Sequence, residues 1–198
     1  MLAMPLPQSL DDLFAHAKSF AEFSMRTRGR VPLALFALSP EGPLFYGSSS
    51  IAWLTPPDPM ADEREKDSFA YSAGLICTVH KATAVVAVLE ASMPVTTPSL
   101  PLNILAPPGQ SSDRQEIVVL AGESRMKSEQ KLLSIVRMGG LFSNLEEYFG
   151  PPDVGLLVRF SHFLPPQSVT PAMLATARAH LAALGIKAET LRRDWSAN

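Results

Sequence analysis

Residues Thr83 to Glu90, Thr-Ala-Val-Val-Ala-Val-Leu-Glu, constrain this chain more than any other stretch. An unbroken apolar and β-branched run stops abruptly at a carboxylate. A run this short, without alternation and rich in valine, suits a strand covered on both faces better than a helix. Helical patterns precede and follow it, so two covers are available. The expectation is an α+β protein, with a single mixed, mostly antiparallel sheet flanked by helices and Thr83–Glu90 as its central strand.

The surrounding pattern supplies the other elements. Ser9-Leu10-Asp11-Asp12 reads as a capping box. Leu10, Leu13, Phe14, Ala17, Ala21 and Met25 then recur at helical spacing, with Phe20 and Phe23 widening the stripe, so a helix is expected over residues 10–27. Apolar runs over 31–38 and 43–46, split by Ser39-Pro40-Glu41-Gly42, read as a hairpin. Asp58-Pro59 opens a second helix, to about residue 81, with Phe69, Ala73, Ile76 and Val79 inward and its charged first half solvated. Residues 91–113 read as a proline-rich connector, Ile117–Ala121 and Lys131–Met138 as strands, and Leu141–Phe149 as a short helix or irregular cover. Pro151-Pro152-Asp153 divides a core domain, 1–150, from a C-terminal extension, 151–198, packed on it. The extension holds a strand over Val154–Phe160 and a helix opened by Thr170-Pro171 and stopped by Gly185.

Composition narrows the classes. The 198 residues suffice for one well-filled core. A charged content of 18%, below the usual quarter, argues against disorder and suggests apolar surface hidden in a partner, a second copy of the chain included. A formal charge of −2 gives no general attraction to nucleic acid. The single cysteine, Cys77, excludes an internal disulfide and disfavours a cysteine metal cage. With neither a signal-like N-terminus nor a membrane-length apolar run, the expected location is cytoplasmic, away from membranes.

Few residues carry chemistry. His16, His80, His162 and His180 are isolated from one another in sequence, so neither a metal nor a cofactor is expected. No phosphate-loop, dinucleotide or nucleophile-elbow pattern occurs. The polar constellation that remains is Glu90 at its strand end with Arg114, Glu116 and Glu123 bounding the next strand. Carboxylates around an arginine can do acid–base work, which makes Glu90, Arg114 and Glu116 the candidate catalytic residues; a structural ion pair is the competing reading. Arg26, Arg28 and Arg30 complement the C-terminal dipole of the first helix or clamp an anion.

The succession Arg28-Gly29-Arg30-Val31-Pro32, Lys66-Asp67-Ser68-Phe69, Ala82-Thr83-Ala84-Val85-Val86 with Glu90, and Arg114-Gln115-Glu116-Ile117-Val118-Val119 resembles a family of uncharacterised bacterial proteins. That family has a Gly-x-Val-Pro, Lys-Asp-x-Phe and Glu-Ala-Trp-Met layout. The likeness spans residues 10 to about 140 and departs from the layout at Ser92, where tryptophan is usual. It implies no activity. The element order is also similar to profilin-like and roadblock-like sandwiches, a likeness of topology alone.

The pattern points away from an enzyme and towards a protein–protein interaction or regulatory role. The apolar residues of the proline-rich connector, Leu100, Leu102, Ile104 and Leu105, together with Trp53, are the candidate partner contacts. The alternatives are a small hydrolase or transferase using Glu90, Arg114 and Glu116, and a nucleic-acid binder using Arg26, Arg28, Arg30 and the tail residues Arg192, Arg193 and Trp195.

Overall fold

A computed structural model of the chain describes residues 6–47, 59–94, 114–138, 142–148 and 162–186. Helix α1 (Leu10–Arg28) starts at the capping box. The Asp12 N–H donates to Ser9 Oγ at 3.1 Å, and Asp12 Oδ2 accepts from the Ser9 N–H at 3.0 Å. These bonds satisfy amides the helix itself leaves open. Strands β1 (Ala34–Ser39) and β2 (Gly42–Gly47) form the hairpin, with Ser39 opposite Gly42 across the turn Pro40-Glu41. Helix α2 (Pro59–Val79) leads into β3 (Ala84–Pro94), β4 (Arg114–Ser124), β5 (Ser128–Met138) and β6 (Phe142–Glu147); helix α3 (Pro171–Ala183) follows.

The strands make one open sheet in the order β2-β1-β3-β4-β5-β6. Every described pairing is antiparallel, in line with the mostly antiparallel sheet expected. Short turns join most sequential neighbours, and antiparallel pairing needs no crossover. The class is α+β.

Residue alternation along the strands builds two cores. Val86 and Val88 on β3, with Val118 and Leu120 on β4, face α1 through Leu13, Phe14, Ala17 and Met25. Val85, Ala87 and Leu89, with Ile117 and Val119, face α2 and α3 through Phe69, Ala73, Ile76 and Leu181. Residues Val85 to Leu89 are each 0% exposed. This explains the unbroken apolar run: β3 has no solvated face.

Four features differ from the sequence reading. Strand β3 continues past Glu90 to Pro94, which lies opposite Arg114, so the connector is shorter than 91–113. The segment expected as a helix or cover after Leu141 is instead the edge strand β6, whose Leu145 packs against the α1 core between exposed Asn144 and Glu146. The helix-forming composition of Leu-Glu-Glu is overridden by pairing with β5. On α1, Phe23 points outward at 41% exposure, while Ser24 takes the inward position. On α2, Lys66 is buried rather than part of a solvated charged face.

The strand expected at Val154–Phe160, the tail beyond Leu191, and the candidate partner residues Trp53, Leu100, Leu102, Ile104 and Leu105 lie outside the described residues.

Candidate functional site

At the end of the sheet beneath the C-terminus of α1, the apolar α1 face gives way to charge. Glu90 follows Val86 and Val88 on β3; Glu116 precedes Val118 on β4; Arg137 follows Leu133 and Ile135 on β5. The registers Glu90↔Val118 and Val118↔Leu133 put all three on one face. Arg137 Nε donates to Glu116 Oε2 at 2.6 Å, and Arg137 Nη1 donates to the Gly29 carbonyl at 3.3 Å. Glu90 Oε1 accepts the Val31 N–H at 2.5 Å.

These contacts hold the loop after α1 to three strands. Gly29 makes the loop possible: it ends α1 at φ 68°, in the left-handed region, and donates its N–H to the Met25 carbonyl. The chain then turns so that Val31, itself buried, delivers its amide to Glu90.

Glu90 is half-buried, and its surroundings act in opposite directions. Desolvation dominates and raises its carboxyl above the ordinary range; the Val31 amide and the charges of Arg30 and Arg137 oppose it, and Glu116 adds to the rise. The bond to Glu116 holds the Arg137 guanidinium above its ordinary value. The Glu116–Arg137 pair is open to water, with side chains 51% and 47% exposed, so it fixes geometry more than it adds stability.

The structure thus brings Glu90 and Glu116 together. Arg114 sits at the start of β4 opposite Pro94, and its side chain lies outside the described set. The arginine that serves both carboxylates is Arg137, which the sequence reading missed. Its signal was the alternation Leu133, Ile135, Arg137 along β5, legible only once the β4–β5 register is known. Glu123 is elsewhere: it lies near the other end of β4, on the opposite face, where its Oε2 accepts the Phe163 N–H at 2.9 Å. Of the three arginines after α1, Arg26 donates back to the Glu22 carbonyl at 3.3 Å, Arg28 is exposed, and Arg30 adds its field to Glu90.

Among the described residues, no three His, Cys, Asp or Glu side chains come together to hold a metal ion, and no helix is long and apolar enough to cross a membrane. A cleft of about 460 Å³ opens at the other end of β3, lined by Lys81, Thr83, Arg125 and Ser168 among others. Along an extended strand, Thr83 and Glu90 stand roughly 20 Å apart, so this cleft does not serve the carboxylates. Comparison with protein-family models, with curated proteins and with solved structures finds no match.

Proposed function

We propose that this protein is a non-enzymatic protein–protein interaction or regulatory protein that works in the cytoplasm. The observation that supports this reading is the engagement of the charged cluster beneath the end of α1. Glu90 accepts the Val31 amide, and Arg137 bridges Glu116 to the Gly29 carbonyl, so the groups best suited to acid–base work hold α1 against the sheet. The partner contacts in this reading are Leu100, Leu102, Ile104, Leu105 and Trp53, and the partner is another protein, with a second copy of the chain as the homo-oligomeric case. Nucleic acid fits less well, because Arg26 is turned back onto its own helix and Arg30 acts on Glu90.

One observation favours the hydrolase or transferase alternative. Glu90 has a carboxyl raised by burial, a frequent property of catalytic acids.

Affinity purification from the native cell, with mass readout, separates the two. The parent chain is expected to retain protein partners that the Leu100, Leu102, Ile104 and Leu105 to Ser variant loses while melting at the parent temperature. Unfolding of that variant would make the segment core cover, and turnover lost in Glu90→Gln at unchanged melting temperature would favour the enzyme.

A further inference from the structure

Helices α2 and α3 end in the same backbone motif with different residues at its key position. At the end of α3, the Ile186 N–H donates to the Leu181 carbonyl and the Gly185 N–H to the Ala182 carbonyl, with Gly185 at φ 72°. At the end of α2, the Ala82 N–H donates to the Cys77 carbonyl and the Lys81 N–H to the Thr78 carbonyl, with Lys81 at φ 51°. Both are Schellman closures, whose left-handed position favours glycine because a Cβ there crowds the backbone. The chain uses glycine at the end of α3 and lysine at the end of α2. Residues held in such conformations gather where a side chain is needed.

Lys81 lines the 460 Å³ cleft, and so does Arg125 from the β4–β5 turn. That turn is fixed: Ser124 Oγ accepts the Met126 and Lys127 amides at 3.3 and 3.2 Å, which sets where Arg125 starts. The neighbouring Lys127 is paired to Asp11 and Glu129, and Lys131 to Glu129. Lys81 and Arg125 have no such pairing among the described residues. Gln167 and Ser168 add amide and hydroxyl donors, the Thr83 hydroxyl donates to the Leu38 carbonyl at 3.4 Å, and no described lining residue is acidic. Val169, also on the wall, immediately precedes the Thr170 cap of α3, whose N-terminal end is positive.

We infer that this cleft binds a small phosphate-bearing anion, with Lys81 and Arg125 as the two cations that hold the phosphate. Two cations on rigid turns match a phosphate dianion, and the volume falls within the usual range of small-molecule sites. The inference is independent of the protein-partner reading and uses none of its residues.

The test is a titration of the full chain with inorganic phosphate and with ribose 5-phosphate, using ribose as the neutral control, followed by amide NMR shifts and calorimetry. Saturable shifts at Lys81, Thr83, Arg125 and Ser168 are expected with both phosphates and not with ribose. Tighter binding of the ester identifies a small phosphorylated molecule; equal binding identifies free phosphate. Lys81→Gly should weaken binding about tenfold while melting at or above the parent temperature, since glycine relieves the backbone. Arg125→Ala should weaken binding similarly. Shifts that do not saturate, binding unchanged in both variants, or a Lys81→Gly variant that melts below the parent would overturn the assignment.

Discussion

The ring of Phe14 occupies the space where residue 122 would carry its Cβ. Gly122 lies towards the C-terminal end of β4, paired with Val86 on one side and Glu129 on the other, and any side chain there would overlap the ring. Glycine inside a central strand is conformationally unfavourable, so its presence marks a close approach. Lys131 lies over the same ring, 4.5 Å from its centre. Phe14 is therefore clamped between strand backbone and cation, and this contact sets how closely α1 sits on the sheet.

Gly122→Ala should destabilise the fold by about 1–3 kcal/mol, because a packed ring must shift. Phe14→Leu alone should also cost stability, but the two changes together should cost less than their sum, since the smaller side chain makes room for the methyl. Denaturant melts of the four species check this. Additive losses would mean that the ring moves aside freely.

Val86→Asp should abolish soluble folding. Val86 is 0% exposed on the central strand, facing α1 with Val88 and Val118. A carboxylate buried there would cost on the order of 4 kcal/mol or more, a large fraction of a domain's whole stability. Expression in the soluble fraction with a near-parental melt would contradict the two-sided burial of β3.

Cys77 is 0% exposed beneath α2, and burial, with a smaller contribution from the Glu123 charge, pushes its thiol up to about 12 from the ordinary 9.0. The thiolate is the reactive form and the sulfur is enclosed, so alkylation of the folded protein at mildly alkaline pH should be far slower than in denaturant. Labelling that rises in step with unfolding makes Cys77 a reporter of global opening. Rapid labelling under native conditions would show that α2 lifts locally.

These features were unequally legible in the sequence. The two-sided core was readable because Val85 to Leu89 contain no polar residue, a pattern that one-sided burial does not produce. Edge strand β6 was not readable, since Leu145 and Glu146 favour a helix locally and only pairing with β5 decides otherwise. Glu90 stood out because it closes an apolar run. Arg137 did not, because its meeting with Glu116 depends on a strand register that residue types alone do not specify. Lys81 gave no sign at all: a left-handed lysine reads like any surface lysine until its backbone is seen.

Glu90 allows a prediction whose sign can be worked out. Burial raises its folded carboxyl above the ordinary value of 4.5, against the opposing pull of the Val31 amide and two arginines. Between 4.5 and the raised value, the folded chain keeps a proton that the unfolded chain releases. Stability contributed by this group is therefore present below that window and lost as pH rises through it. Glutamine has no such ionisation, yet its side-chain oxygen can still accept the Val31 amide. The melting temperature of Glu90→Gln minus that of the parent should thus move in favour of the variant between about pH 4 and about pH 8. Glu90→Ala removes the acceptor, strands a half-buried amide and should cost about 1–3 kcal/mol at either pH. A Glu90→Gln difference that moves the other way would mean that Arg30 and Arg137 outweigh desolvation, making Glu90 a stabilising ion-pair partner and not a buried acid.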